Sequence, residues 1–199
     1  VVPSLTFTLQ HFCEKYFNKQ PIVVGPGVKT GLIVKYDNPK LLGSDRIVNS
    51  VAAYTNYKAP LIVIDLGTAT TICAVSDKAE YLGGVIAPGI KISSEALFEK
   101  TAKLPRIELE MPKHIICRNT AECMQSGVLF GHVGMIEYIV EHMKEEIAKE
   151  CGFEPGSKKI TVVATGGLSS MIAEYTDVID FVDKRLTLTG LELIYEKNK

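Results

Sequence analysis

The sequence contains no tryptophan and no Cys-x-x-Cys motif, and its net charge at pH 7 is only −1. Its five cysteines are odd in number and scattered, which excludes a regular disulfide framework and a zinc site built on paired cysteines. They lie at Cys13, Cys73, Cys117, Cys123 and Cys151. Scattered thiols are typical of a reducing compartment, so we expect a cytoplasmic protein.

The charged residues are balanced, with 22 basic and 23 acidic side chains. This balance excludes a general electrostatic attraction to nucleic acid or to a membrane surface, so we expect neither as a partner. No apolar run reaches the length that spans a bilayer, and no segment has the pattern of a signal peptide. The four histidines show no spacing typical of metal ligands, and we interpret them as structural or surface residues.

The most informative stretch of the 199 residues is LIVIDLGTATTICAV, residues 61–75. An apolar run, Leu61–Ile64, breaks at the polar turn Asp65–Thr68 and resumes at Ala69–Val75. Two apolar, β-branched runs around a glycine-containing turn predict two buried strands joined by a tight hairpin. With 46% hydrophobic residues, the chain can bury the core of one large or two small domains around it.

The turn of this hairpin combines the carboxylate of Asp65 with a glycine and three threonines, Thr68, Thr70 and Thr71. Glycine lets a backbone approach a ligand closely, and exposed N–H and hydroxyl groups suit phosphate oxygens. A carboxylate at a strand end can hold a cation that neutralises those phosphates. The alternative is an ordinary polar hairpin with Asp65 as a turn residue, and this stretch alone favours neither.

The remaining pattern predicts alternating helices and strands. Helices are expected at 5–17, 47–57, 90–102, 121–151, 168–175 and 189–197, and further strands at 21–25, 32–36, 79–86, 159–164 and 178–182. This order indicates an α/β fold with a mixed sheet and flanking helices. The part before Pro60 looks like the end of an earlier copy of the same unit, so we expect two domains, 1–59 and 60–199.

Local patterns add detail to three of the helices. Ser4 is the expected N-cap of the first helix, and Ser44 or Asp45 that of the second. In the helix at 90–102, the expected inner face consists of Ile92, Ala96 and Leu97. The long helix carries glycines in its first half, at Gly127, Gly131 and Gly134. Glycine weakens a helix, so we expect another backbone or a ligand to pack closely there.

Three polar clusters stand at predicted strand or helix ends: Gly43–Arg46, Asp65–Thr71 and Thr165–Gly167. Ligands of α/β sheets gather at such ends. Asp45 could accept the proton of an attacking hydroxyl, and the Arg46 guanidinium could grip a substrate carboxylate. Taken alone, the simpler alternative is favoured, in which Asp45 caps a helix and Arg46 is a solvated surface residue.

The motifs are more specific as an ordered set. Asp-x-Gly-Thr-Ala-Thr after a strand, with a later Gly-Gly loop, resembles the acetate kinase, actin and sugar kinase superfamily. The set narrows the resemblance to type III pantothenate kinase over essentially the whole chain. It consists of Gly43–Arg46, Asp65–Thr71, Gly83-Gly84-x4-Gly89, Asn119-Thr120-x4-Gln125-Ser126-Gly127 and Leu186-Thr187-Leu188-Thr189-Gly190-Leu191-x2-Ile194-Tyr195-Glu196.

This resemblance implies a ribonuclease H-like, actin-like ATPase fold of two related domains, with the first incomplete here. The implied activity is ATP-dependent phosphorylation of pantothenate to 4'-phosphopantothenate, the first step of coenzyme A biosynthesis. ATP is expected with Mg²⁺, together with a monovalent cation, potassium or ammonium. The family also implies a homodimer with the substrate site at the interface.

The resemblance assigns roles to individual residues. Asp45 is implied as the proton acceptor, and Asp65 as the ligand of the monovalent cation. Pantothenate contacts are implied for Tyr36, Gly43, Ser44, Asp45, Arg46 and Thr120, the last across the dimer interface. ATP contact is implied for Thr68, and Gly67, Gly166 and Gly167 are further candidates for cofactor binding.

One part of the family pattern is missing from this sequence. Family members open with a strand carrying Asp-x-Gly-Asn-Thr, whose loop wraps the ATP phosphates, and no such motif occurs here. We therefore expect a longer gene product, or that those residues are disordered or supplied by another chain. The missing motif also motivates an alternative, a non-catalytic regulatory or binding protein on the same fold. A different kinase or phosphohydrolase of the superfamily is the third possibility, and Gly43–Arg46 argues against it.

Overall fold

A six-stranded mixed sheet forms the centre of this computed structural model, which describes residues 3–199. Its strands are β1 Ile33–Val34, β2 Leu61–Leu66, β3 Ala69–Val75, β4 Glu80–Pro88, β5 Thr161–Thr165 and β6 Phe181–Val182. The helices are α1 Pro3–Phe17, α2 Ser44–Asn56, α3 Ile90–Lys100, α4 Thr120–Cys151, α5 Ser169–Ala173 and α6 Leu186–Asn198, with a 3-10 turn at Pro39–Leu41. The predicted fold class, α/β with a mixed sheet and flanking helices, is confirmed.

The strand order is β1-β4-β3-β2-β5-β6. Strands β2, β3 and β4 form an antiparallel meander, whereas β5 runs parallel to β2 and β6 parallel to β5. The predicted hairpin is confirmed, since Leu61 pairs with Val75 at its open end and Leu66 with Thr70 near the turn. Because β2 and β5 are parallel neighbours, their carboxyl ends lie at the same edge of the sheet.

Side-chain alternation along the hairpin separates two cores, one on each face of the sheet. Ile64 and Ile72 belong to the cluster that contains the buried residues of α4. Val63 and Cys73 belong to the cluster that contains the buried alanines of α2. Successive residues of a strand point to opposite faces, so Asp65 follows Val63 onto the α2 face. The side chains of the hairpin therefore face two different helices, α2 on one side of the sheet and α4 on the other.

Helices α2 and α6 approach each other very closely on this face. A Cβ atom at Gly190 of α6 would collide with the carbonyl oxygen of Val48 in α2. Glycine at 190 therefore permits a backbone-to-backbone contact between the two helices. The contact places Thr187, one turn earlier in α6, within hydrogen-bond distance of Asn49 in α2.

Helix α4 spans 32 residues, as the sequence predicted within one residue. Asn119 caps its start by accepting a hydrogen bond from the backbone N of Glu122 at 2.9 Å. Gly152 ends it in the left-handed conformation, with φ of 75°. The expected packing partner of Gly127, Gly131 and Gly134 is absent from the described residues, because a Cβ atom at each would meet open space.

The strands predicted before α2 are largely wrong. Residues 21–25 form no strand, and of 32–36 only Ile33 and Val34 pair, with β4. Ile22 and Val23 are exposed, and within residues 3–199 no neighbouring strand pairs with them. An apolar run needs a partner strand to become part of a sheet. The division into domains 1–59 and 60–199 stays a prediction.

The predicted helix caps are also wrong. Ser4 lies inside α1, whereas residues 1 and 2 are outside the described part of the chain. Helix α2 starts earlier than predicted, with Gly43 as its N-cap and without a side-chain capping bond. The Ser44 hydroxyl instead donates to the carbonyl oxygen of Val24 at 2.7 Å. The Ser44 hydroxyl, which its position near the helix start predicts to be a cap, thus bonds to the distant carbonyl of Val24 instead.

The inner face of α3 differs from the predicted one as well. Ile90 and Ser94 are buried and Leu97 is partly buried, whereas Ile92 and Ala96 are exposed. Two sets of residues on α3 have helical spacing, and the set that begins at Ile90 is the one that packs against the sheet and α4. The sequence alone could not decide between them.

Candidate active site

The carboxyl ends of β2 and β5 bring two of the predicted polar clusters together. Asp65 pairs with Thr165 across the parallel strands, so the hairpin turn and the loop at Gly166–Gly167 are neighbours. Gly166 has φ of +96°, and a Cβ atom there would collide with the backbone of Leu66. Only glycine allows the loop to lie this close to β2. The arrangement matches the usual position of ligand-binding loops in α/β folds.

The hairpin turn presents exposed groups to solvent at Gly67 and Thr68. Gly89, between β4 and α3, packs against this turn so closely that a Cβ atom at 89 would collide with the carbonyl oxygen of Thr68. The turn is thus supported by the junction between β4 and α3. A rigid turn with free N–H and hydroxyl groups has the donors that phosphate oxygens require.

Asp65 is held on the α2 face by a chain of side-chain hydrogen bonds. Asn49 of α2 donates from Nδ2 to Oδ2 of Asp65 at 2.9 Å, and Thr187 of α6 donates to Oδ1 of Asn49 at 2.7 Å. Burial raises the pKa of Asp65, the Asn49 bond opposes this rise, and the nearby charge of Asp45 adds to it. Two carboxylates that repel each other in this way favour a cation between or beside them.

Asp45 occupies the first turn of α2 and is partly exposed. Its Oδ1 accepts a hydrogen bond from the backbone N of Arg46 at 2.8 Å. A Cβ atom at Gly43 would lie 2.6 Å from that oxygen, so glycine leaves room for the carboxylate at the helix start. Asn49 lies four residues later, on the same side of α2 as Asp45. The bond from Asn49 to Asp65 therefore brings the two carboxylates into one region.

Arg46 is 5% exposed, so its interpretation as a solvated surface residue is wrong. Its Nε donates to Sγ of Cys73 at 3.3 Å. Its guanidinium carbon lies 5.8 Å and 5.7 Å from the ring centroids of Tyr36 and Tyr81. One terminal nitrogen, Nη2, has no hydrogen-bond partner within the described residues. A buried cation with an unused donor is suited to bind an anion.

Tyr36 and Ser44 complete the group of predicted substrate residues on this face. Tyr36 is partly exposed and covers the guanidinium of Arg46. The hydroxyl of Ser44 is already engaged with Val24, but its oxygen can still accept a hydrogen bond. The structure therefore places Tyr36 over Arg46 on the α2 face, to which Asp65 also points.

Thr120 does not join this group within its own chain. It is exposed at the first residue of α4 and lines a groove of about 550 Å³ between α3 and α4, with Gly127, Gly131 and His132. Helix α4 packs on the face of the sheet opposite α2. Thr120 is thus separated from Asp45 by the sheet.

His132 is a residue of this region that the sequence analysis missed. Its Nε2 lies 2.8 Å from Oγ1 of Thr70, the hairpin residue that points to the α4 face. Both side chains are buried, and burial lowers the pKa of His132. The bond joins α4 to the strand that follows the candidate phosphate-binding turn. The two residues are 62 positions apart, so no local pattern could have indicated it.

The carboxylate of Asp65 is the partly buried acidic group that this site offers to a cation. Within residues 3–199 no group of three or more His, Cys, Asp or Glu side chains is arranged to hold a metal ion. Asp65 supplies one partly buried carboxylate, and backbone or ligand oxygens would complete the coordination.

No helix in the described part of the chain has the length and apolar character needed to cross a bilayer.

The His132–Thr70 bond predicts a pH dependence of stability. Below the ordinary imidazole pKa of about 6.5, the unfolded chain binds a proton at His132, whereas burial disfavours the same protonation in the folded chain. The free energy of unfolding of the wild type should therefore decrease as the pH falls below that value. His132→Gln should remove this part of the decrease, as measured by urea unfolding from pH 8 to pH 5.

A matched control is His114→Gln, which changes an exposed histidine outside the helices. This variant should keep the wild-type pH dependence. Parallel curves for the wild type and His132→Gln would show that the buried imidazole does not contribute.

Comparison with known proteins identifies the family. A structure from Campylobacter jejuni, described as a conserved Baf family transcriptional activator, has a TM-score of 0.62 and 24% identity over 96% of this chain and 78% of that chain. A ParM filament structure from Clostridium botulinum has a TM-score of 0.33 and 6% identity over 98% and 63% of the two chains, too low to carry an argument. A family model described as type III pantothenate kinase matches residues 1–142, most of the chain. The chain therefore belongs to the type III pantothenate kinase family, as its ordered motifs predicted.

Proposed function

We propose that the protein phosphorylates pantothenate with ATP, giving 4'-phosphopantothenate as the first step of coenzyme A biosynthesis. The observation that carries the proposal is the family match together with one cluster of functional side chains. Arg46 bonds to Cys73 and Asn49 to Asp65, so Arg46 and Asp65 lie on the α2 face of the sheet, with Asp45 in the first turn of the same helix. A cytoplasmic location and the absence of nucleic-acid and membrane partners stay predictions.

Asp45 has the position and exposure of a general base. It is partly exposed, it is held at the start of α2, and no cation of the described residues forms an ion pair with it. A carboxylate in this state can accept the proton of the pantothenate hydroxyl as that oxygen attacks the γ-phosphorus. Tyr36, Gly43, Ser44 and Arg46 surround it and would hold the substrate, because phosphoryl transfer depends mainly on positioning and charge neutralisation.

Asp65 is the residue that would hold potassium or ammonium. Its carboxylate is partly buried without a positive partner in the described chain, and this is unfavourable unless a cation joins it. Thr68 and Gly67 would contact the nucleotide at the exposed turn, with Gly166 and Gly167 on the neighbouring loop. Mg²⁺ bound with ATP would supply the remaining neutralisation of phosphate charge.

Dimerisation would bring Thr120 to the substrate. Within one chain, Thr120 lies on the opposite face of the sheet from Asp45, and so would serve a site on another copy. The exposed glycines Gly127, Gly131 and Gly134 leave the start of α4 open to close approach by a second backbone. We therefore propose a homodimer in which each site combines Asp45 of one protomer with Thr120 of its partner.

The alternative function is a non-catalytic regulator. The structural neighbour from Campylobacter jejuni is described as a transcriptional activator, but the likeness to it shows the fold alone. The chain's near-neutral charge does not favour direct contact with DNA. A kinase should bind both ATP and pantothenate in calorimetry, whereas a pure regulator need bind only one.

Asp45→Asn tests the proposed reaction. In the full-length protein, pantothenate-dependent ADP release in potassium buffer should fall by a factor of about 10² to 10⁴, because the amide cannot accept the proton. The melting temperature should change little, since an amide oxygen can still accept the bond from Arg46. Asp177→Asn, an exposed carboxylate after α5, is the matched control.

Two outcomes would contradict this prediction. Wild-type protein that releases no ADP in response to pantothenate would reject the kinase. A wild-type rate in Asp45→Asn would leave the kinase but remove Asp45 from the role of base.

Asp65→Asn tests the cation site through stability instead of activity. Adding potassium chloride to a potassium-free buffer should raise the melting temperature of the wild type, since the ion binds the folded state. The variant should gain nothing beyond the effect of an equal concentration of tetramethylammonium chloride. In the absence of potassium it should be at least as stable as the wild type, because a buried carboxylate without a cation has been removed. Equal potassium responses in both proteins would refute the assignment.

Subunit mixing tests the shared site. Asp45→Asn and Thr120→Val should each be nearly inactive alone, but refolding them together should restore about a quarter of wild-type activity, since half of the dimers are mixed and each has one intact site. Asp45→Asn mixed with itself provides the baseline. No recovery, despite mixed dimers shown by mass spectrometry, would place Thr120 and Asp45 in the same protomer's site or remove Thr120 from it.

A further inference from the structure

Cys73 lies in β3 beneath the side chain of Arg46 and is 2% exposed. Its sulfur accepts two hydrogen bonds, each of 3.3 Å, from Nε of Arg46 and from the hydroxyl of Tyr81. Burial raises the pKa of Tyr81, so the phenol keeps its proton and acts as a donor. The sulfur is thus the common acceptor of two buried donors.

These contacts determine the orientation of the Arg46 guanidinium. The group is planar and carries five N–H donors in a fixed arrangement. Fixing Nε at Cys73, with the rings of Tyr36 and Tyr81 close by, determines where the terminal nitrogens point. Nη2 is left buried and without an acceptor within the described residues. Such a donor is unfavourable until an acceptor reaches it.

We infer that Cys73 is a positioning residue for substrate recognition: it orients Arg46 so that Nη2 can bind the carboxylate of pantothenate. The inference rests on the proposed function, which supplies the substrate. Tyr36, whose ring centroid lies 5.8 Å from the guanidinium carbon, is partly exposed, so the guanidinium packs against a side chain that reaches the surface. Asp45 is partly exposed whereas Arg46 is buried, so the two adjacent side chains lie in different surroundings.

The test separates recognition of the carboxylate from general effects on the fold. The ligands are pantothenate and pantothenol, in which an uncharged alcohol replaces the carboxylate. The variants are Cys73→Ala, which removes the acceptor, and Cys73→Ser, which keeps a hydroxyl acceptor at the same place. Cys151→Ala, a partly buried cysteine at the end of α4, is the matched control. Dissociation constants come from calorimetry and steady-state constants from ADP release, both on full-length protein.

Wild-type protein should bind pantothenate more tightly than pantothenol. Cys73→Ala should weaken pantothenate binding about tenfold and pantothenol binding little, because the affected group contacts only the carboxylate. The kcat at saturating pantothenate and the KM for ATP should stay near wild type, which a merely structural defect would not allow. Cys73→Ser should recover most of the preference for pantothenate, and Cys151→Ala should keep all of it.

The inference is overturned if Cys73→Ala retains the wild-type preference for the carboxylate, or loses affinity equally for both ligands. If Cys73→Ala does not fold, Cys73→Ser decides, and a lost preference in a folded serine variant counts against the inference. The proposed function can fail separately. Protein that binds pantothenate without releasing ADP is not the proposed kinase, yet its dissociation constants still test Cys73. Wild-type protein that binds neither ligand refutes both.

Discussion

The candidate site depends on one buried amide, the side chain of Asn49. It is 1% exposed, donates to Asp65 of β2 and accepts from Thr187 of α6. Two hydrogen bonds thereby join the neighbouring elements α2 and β2 to α6 near the end of the chain. Because Asp45 lies one helical turn before Asn49, the same bonds determine where the candidate base stands relative to the candidate cation ligand. A buried polar group of this kind stabilises the fold only while both of its partners are present.

The sheet gives the protein two faces with different roles. The α2 face carries Asp45, Arg46 and Asp65, together with the tyrosines that cover the guanidinium. The α4 face carries an apolar core, the His132–Thr70 bond and an open groove with Thr120 at its end. The β2–β3 hairpin is shared by both faces, since its residues point alternately to each.

Much of the fold could be predicted because the evidence for it is local. The hairpin at 61–75 follows from two apolar runs around a glycine turn, and α4 follows from its helical spacing. The predictions before α2 failed where the outcome depended on a neighbour. Residues 21–25 have the composition of a strand but pair with no strand within residues 3–199, and Ser44 uses its hydroxyl on Val24 instead of the helix start. Local propensities indicate which conformations and hydrogen bonds a segment can form, and contacts with distant residues determine which of these it forms.

The sequence by itself determined the order of the elements from α2 onward, the family, and which residue types could carry phosphoryl transfer, since short motifs and local spacing indicate all of these. Tertiary structure alone decided which of those residues meet. It buried Arg46 on Cys73, 27 positions away, although a charged residue at a helix start has the local character of a surface group. It joined Asn49 to Asp65 and Thr70 to His132, and it put Thr120 on α4, the helix that packs on the face of the sheet opposite α2. The physical reason is that burial and hydrogen-bond partners are properties of the packed chain, and no short segment contains them.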